Sequence, residues 1–251
     1  MLSRPRALLV GASSGVGRAT AERLASQGWD MVLCARSAPD LEAACHDLQL
    51  RFGSDARAFA VDFAGGGREV TKVTMEALEG VERIDACIVC AGANRDDDDP
   101  VASPETIDFV QRVNFAGPAC LLASLQGWAE KRSLPGLRYV MLSTIAAPVP
   151  RGSNSVYAAA KNALESYATS LAVRGGKRGD SVSVLRLGYV DTDLSFGMPL
   201  KLPVASPEQV ARRIEKLLKH PCRLSYYPGW WRFIVVALRM LPWDAYRRLD
   251  F

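Results

Sequence analysis

Continuous apolar runs of strand length recur along the chain, at positions 7–10, 31–34, 58–61, 86–89, 139–142 and 182–187. Runs that are apolar at every position, rather than at alternate ones, mark strands covered on both faces. Between them lie stretches whose apolar residues return every three or four positions: 15–27, 41–50, 68–78, 115–131, 156–173 and 207–218. That spacing predicts helices. A strand-helix alternation sustained this long implies an α/β fold, with a parallel, doubly wound sheet and helices on both faces. No internal repeat or long linker interrupts it. Gly65-Gly66-Gly67 and Gly175-Gly176 punctuate loops inside one unit. Residues 1–251 therefore read as a single domain, in which 193–251 form a substrate lid and a C-terminal amphipathic region.

Composition narrows the classes. A chain of 251 residues buries a sizeable core without staples, and 49% hydrophobic with 23% charged residues is ordinary for a globular protein. A scattered net charge of +4 gives no case for nucleic acid. No run approaches the ~18 apolar residues of a spanning helix. The opening Met1-Leu2-Ser3-Arg4-Pro5-Arg6 lacks the apolar stretch of a secretory signal, so a cytoplasmic location is expected. The six cysteines (34, 45, 87, 90, 120, 222) read as reduced thiols. Cys87-Ile88-Val89-Cys90 has the spacing of a metal or redox pair. Inside an apolar strand, however, positions three apart face opposite sides, and no metal site is expected. His46 and His220 show no partner spacing and are read as surface residues. Asp96-Asp97-Asp98-Asp99 is read as a solvated loop bordering a cleft rather than a cation site.

The chemistry begins after the first strand. Val10-Gly11-Ala12-Ser13-Ser14-Gly15-Val16-Gly17-Arg18 opens the first helix. Glycines there let the backbone turn tightly and approach a pyrophosphate, whose charge then lies at a helix N-terminus. The placement points to a Rossmann-type dinucleotide site using Gly11, Ser13, Ser14, Gly15, Val16 and Gly17. The second strand ends Cys34-Ala35-Arg36-Ser37, with a basic residue where an acidic one would hold a ribose 2′-hydroxyl. Arg36, with Arg18 as a second candidate, suits a 2′-phosphate, so NADP(H) is expected ahead of NAD(H).

Tyr157-Ala158-Ala159-Ala160-Lys161 opens a later helix, and the spacing of four places Tyr157 and Lys161 one turn apart on one face. A phenol titrates near ~10, outside the neutral range. A neighbouring ammonium is expected to lower that value and make Tyr157 usable in proton transfer.

The ordered set Gly11-x-x-x-Gly15-x-Gly17, Asp62, Ala91-Gly92, Asn114, Ser143-Thr144 and Tyr157-x-x-x-Lys161 resembles the short-chain dehydrogenase/reductase family over roughly the first 195 residues. The resemblance implies that Tyr157 is the general acid/base. Lys161 would tune it and hold the nicotinamide ribose, and Asn114 would belong to a proton relay. Asp62, with its neighbour Phe63, would meet the adenine, and Ala91 and Gly92 would line the cofactor. Gly188, Val190 and Thr192, in Leu187-Gly188-Tyr189-Val190-Asp191-Thr192, resemble the stretch touching the carboxamide. Three departures stand out. Val89-Cys90 replaces two asparagines, Leu187-Gly188 replaces Pro-Gly, and the substrate-orienting serine falls on Thr144, with Ser143 one residue earlier. A threonine hydroxyl donates the same hydrogen bond.

In the tail, Trp230, Ile234, Ala237, Leu238 and Leu241 recur at helical spacing, with Arg232 and Arg239 on another face. Such a stretch suits peripheral membrane contact through 230–248, and it equally suits a subunit interface. The tail is similar to the endings of bacterial polyprenylphosphoryl-2-ketopentose reductases. The combined expectation is an NADP(H)-dependent carbonyl reductase, a homodimer or homotetramer. Its substrate is expected to be a bulky or lipid-linked carbonyl compound such as a keto sugar. The competing expectation is a nucleotide-binding sensor or assembly partner with little turnover, for which Thr144 in the serine position is the one supporting feature.

Overall fold

The computed structural model describes residues 4–192 and 202–249. Most of the expected lid, 193–203, lies outside the described residues. Seven strands, β1 (Arg6–Val10), β2 (Asp30–Ala35), β3 (Ala56–Ala60), β4 (Ala86–Val89), β5 (Arg138–Thr144), β6 (Ser181–Leu187) and β7 (Leu224–Tyr227), form one sheet. Its order is β3-β2-β1-β4-β5-β6-β7, with every neighbouring pair parallel. The six expected runs coincide with β1 to β6. β7 is new: its Leu-Ser-Tyr-Tyr sequence extends the sheet at an edge, where one side of the strand is left without a partner.

The described helices are α1 (Gly15–Ala25), α2 (Ala38–Phe52), α3 (Gly67–Ala77), α4 (Pro104–Gln111), α5 (Gly117–Lys131), α6 (Ser155–Gly175), α7 (Pro207–Lys219), α8 (Trp231–Met240) and the short α9 (Trp243–Tyr246). They divide between two faces. Leu24, Leu41, Leu48, Ile214 and Leu217 from α1, α2 and α7 join one core layer with Leu9, Leu33 and Ile88. Val70, Leu121, Leu125, Leu164 and Leu171 from α3, α5 and α6 join the other with Leu8, Cys87 and Met141. Alternate residues of each strand thus serve opposite cores, which is why the strands read as unbroken apolar runs. Cys87 lies in one layer and Cys90 packs against the other, so the pair does not meet.

α4 was not expected as a helix, although Ser103-Pro104-Glu105 announces it. The Ser103 hydroxyl accepts from the Thr106 amide at 3.1 Å, and Pro104 occupies the first turn. Ser206-Pro207-Glu208-Gln209 starts α7 with a full capping box. Between α4 and α5, residues Arg112–Ala116 form one π turn centred on Asn114.

The strand order reverses between β1 and β4. Open parallel sheets bind ligands at such a switch point, outside the carboxyl ends of the strands.

Candidate active site

A cleft of about 740 Å³ opens there. Its floor is the turn between β1 and α1. Gly11 and Gly15 adopt φ of +80° and +51°, in the left-handed region that favours glycine. A Cβ on Gly17 would collide with the Gly11 carbonyl oxygen, so the turn closes only without side chains. Ser13, Ser14, Gly15, Val16 and Gly17 face the cleft beside the N-terminus of α1, whose first turn carries no acidic residue. This is a cradle for an anionic pyrophosphate. The Thr192 methyl lies 3.2 Å from where a Gly15 Cβ would stand, so Val190 and Thr192 form the opposite lip.

All fourteen residues expected to bind cofactor line the cleft: the six of the turn, then Arg36, Asp62, Phe63, Ala91, Gly92, Gly188, Val190 and Thr192. Arg36, exposed at the end of β2, forms no ion pair among the described residues. Arg18 does not join it. Its guanidinium is bound to Glu22 of α1 at 2.9 Å and Asp47 of α2 at 2.7 Å, and it does not line the cleft. Asp62 caps the following turn by accepting from the Ala64 amide at 2.9 Å.

The polar end of the cleft lies between β5 and α6. Lys161, 2% exposed, donates to the Ala91 carbonyl at 2.9 Å and the Leu142 carbonyl at 3.5 Å. Its ammonium stands 5.7 Å from the centre of the Tyr157 ring. The spacing expectation about acidity is overturned here. Burial pushes the Tyr157 phenol up to about 12, and burial pulls the Lys161 ammonium down to about 8. The ammonium points at backbone carbonyls, so desolvation outweighs its effect on the phenol.

Thr144 and Ser143, adjacent at the end of β5, differ in commitment. The Ser143 hydroxyl donates to Glu165 at 2.5 Å. Glu165 is held by a buried two-pronged ion pair with Arg186, at 2.9 and 2.6 Å, and Arg186 also donates to the Tyr226 hydroxyl. The Thr144 oxygen accepts from the Ala146 amide at 3.2 Å, which leaves its proton for another acceptor. Asn114 does not line the cleft. It is fully buried in the π turn, and its side-chain amide clamps the Ala93 backbone, donating at 2.7 Å and accepting at 3.2 Å. It thereby shapes the loop that carries Ala91 and Gly92.

Several lining residues were not anticipated. Asn94, Phe109, Arg151 and Asn154 border the same cleft as Tyr157. None belongs to a short motif, and only the return of distant loops brings them together. The acidic run is exposed at Asp96, Asp97 and Asp99, as expected of a solvated loop, but one of its acids departs from that reading. Thr106 donates to Asp97, and Asp98 is buried.

A glycine-cradled switch-point cleft that ends in a half-buried tyrosine and a buried lysine defines a nicotinamide-dependent oxidoreductase. Residues 5–199 match the short chain dehydrogenase family, and the chain belongs to that family of NAD(P)-dependent oxidoreductases. It is 33% identical over 189 residues to the short-chain reductase protein NovJ of Streptomyces niveus, covering 75% of this chain and 70% of that protein. It is 31% identical over 250 residues to an uncharacterized oxidoreductase in the mprA 5' region of Streptomyces coelicolor, covering 98% and 96%. Its fold superposes with a TM-score of 0.78 on an alcohol dehydrogenase from the archaeon Thermococcus sibiricus complexed with 5-hydroxy-NADP. There the identity is 21%, over 99% of this chain and 100% of that one.

Proposed function

We propose that this oxidoreductase is an NADPH-dependent carbonyl reductase in which Tyr157 is the general acid, Thr144 the substrate-orienting hydroxyl and Lys161 the positioning cation. The observation that carries the reading is the commitment of Ser143 to Glu165 beside a Thr144 whose proton remains available, in the cleft that Tyr157 also lines. Bound nicotinamide supplies the hydride. Tyr157, kept protonated through the neutral range by burial, gives its proton to the oxygen as the carbonyl is reduced. Thr144 donates a hydrogen bond to the same oxygen. The Lys161 ammonium, fixed by the Ala91 and Leu142 carbonyls, would hold the nicotinamide ribose. Asn114 fixes the Ala93 turn from behind rather than touching the reacting atoms.

Arg36 supports NADP(H) over NAD(H), being exposed, unpaired among the described residues and on the cleft wall at the end of β2. The bulky or lipid-linked class of substrate, keto sugars included, rests on the tail. Exposed apolar side chains of α8 and α9 suit a membrane surface and would bring the cleft to a lipid-borne carbonyl. A homodimer or homotetramer is the expected assembly.

The test is a titration with NADPH and NADH followed by tryptophan quenching, then ketone reduction by wild type and Tyr157→Phe. Tight NADPH binding, weak NADH binding and a Tyr157→Phe variant that binds but turns over at least ~100-fold more slowly are expected. Equal affinity for the two cofactors sinks the Arg36 argument, and an active Tyr157→Phe sinks the assignment of the acid.

A further inference from the structure

The residue that most directly places Tyr157 lies 59 positions away in sequence. Helix α6 begins abnormally. Asn154, its N-cap, has φ of +57° and its side chain makes no capping bond. The amides of the first turn have no partner inside the helix, and capping side chains ordinarily come from the N-cap residue itself. Here both are taken by one distant carboxylate. Asp98 Oδ1 accepts from the Val156 amide at 2.8 Å, and Oδ2 accepts from the Tyr157 amide at 2.9 Å. The Asp98 carbonyl also accepts from the Asn154 amide at 2.8 Å. A side-chain bond from Asn94 to Asn154, at 2.5 Å, ties the same two segments together a second time.

Asp98 is 4% exposed, whereas Asp96, Asp97 and Asp99 are exposed. Its neighbours anchor the loop elsewhere: Asp97 accepts from Thr106 in α4, and Asp99 accepts from the Val101 amide. Three of the four acids therefore divide the work, and of these Asp98 is the one that reaches α6. A carboxylate at a helix N-terminus is stabilised by the backbone dipoles, and two charge-assisted bonds fix it more rigidly than a serine or threonine cap would.

We infer that Asp98 is a positioning residue for the reaction: it sets the height and direction of the Tyr157 phenol by holding that residue's own amide. The inference rests on the assignment of Tyr157 as the acid. Because the clamp comes from the loop after β4, which also carries Ala91 and Gly92, one element orients both the cofactor wall and the acid. A misplacement near 1 Å costs on the order of 100-fold in rate when reacting groups must meet.

The test uses the full chain with Asp98→Ala and Asp98→Asn, the second keeping shape and one acceptor oxygen should the first fail to fold. Three quantities are read: the NADPH dissociation constant, kcat and KM with the ketone that wild type reduces fastest, and hydrogen exchange at the Val156 and Tyr157 amides. The expected result is faster exchange at those two amides and an NADPH affinity within about twofold of wild type. kcat should fall between 10- and 100-fold with KM little changed, and Asp98→Asn should lie between Asp98→Ala and wild type. Unchanged exchange, kcat within twofold of wild type in both variants, or a kcat loss matched by an equal loss of NADPH affinity overturns it. Tyr157→Phe is run alongside. If that variant keeps its activity, the acid assignment has failed, and the exchange data still decide whether Asp98 holds the helix.

Discussion

Gly188 and Trp231 share a space with no room for a methyl group: a Cβ at 188 would overlap the indole Nε1. Trp231 is buried, stacks on Trp230 at 4.5 Å and meets Tyr189 edge-on at 5.9 Å. The tail thus packs directly behind the wall of the cofactor cleft. Gly188→Ala is expected to displace the indole, at about 1–3 kcal/mol for overpacking. For a chain of this size that lowers the melting temperature by about 2–10 °C. NADPH affinity should weaken too, since Gly188 lines the cleft. Thermal unfolding and cofactor titration check this. An unchanged melting temperature with full affinity would show that α8 shifts without consequence.

Thr144→Ala is expected to lower kcat/KM by roughly 100-fold, the scale for removing one donor to a developing oxyanion. Thr144→Ser should restore most of it. Ser143→Ala should behave differently, because its hydroxyl is committed to Glu165. There the expected effect is a loss of about 1 kcal/mol in stability with rates within a few-fold of wild type. Steady-state kinetics and denaturant unfolding on the three variants separate these outcomes. A larger rate loss in Ser143→Ala than in Thr144→Ala reverses the assignment.

That assignment shows where reading the chain stops. Two adjacent hydroxyls at a strand end look alike in sequence, and only the Glu165–Arg186 pair, from α6 and β6, distinguishes them. The five inner strands, β1, β2, β4, β5 and β6, were legible because a parallel sheet covered on both faces needs every position apolar, and β3, at the other edge, showed only through its short apolar run at 58–61. β7 was missed because Leu224-Ser225-Tyr226-Tyr227 lies at the edge, where that demand lapses. The cofactor turn was legible because its glycines answer a local backbone need. Asp98 was hidden among four identical letters, since its burial depends on amides 58 and 59 residues away. Spacing brought Tyr157 and Lys161 together but carried no information on their burial, so the expected lowering of the phenol had the wrong sign.

Burial of Lys161 makes stability depend on pH in a defined window. Its value falls from 10.5 to about 8 on folding. Below 8 it is charged in both states and the folded protein bears the full desolvation cost. Between 8 and 10.5 the folded state releases its proton first, the unfolded state holds more protons, and stability rises with pH. Tyr157 acts oppositely, because its value rises from 10.0 to about 12, so stability is lost above pH 10. Wild type should therefore gain up to roughly 3 kcal/mol between pH 8 and 10, at about 1.4 kcal/mol per unit, relative to Lys161→Met. Denaturant unfolding of both proteins across that range is the measurement. Parallel pH curves would mean that folding does not lower the Lys161 value and that the buried ammonium stays charged across that range.

The outer face of the tail makes the last prediction. Phe233 is 62% exposed, Met240 78% and Trp243 70%, on the side of α8 and α9 away from the buried Trp231 and Val235. Arg232, Arg239, Arg247 and Arg248 are exposed along the same segment. Among the described residues no helix is long and apolar enough to cross a membrane. Aromatic insertion beside arginines favours anionic lipid, with about 1 kcal/mol from each basic residue near the headgroups. Co-sedimentation with phosphatidylserine-containing vesicles should exceed that with neutral vesicles and weaken at high salt. It should fall at least about tenfold in a Phe233→Asp, Met240→Asp double variant that still binds NADPH. A subunit interface predicts the opposite pattern: no vesicle binding by wild type, and a smaller assembly on gel filtration for the double variant. Because Trp231 joins this helix to Gly188, either partner would press on the cofactor wall, and NADPH affinity measured with and without vesicles reports which one does.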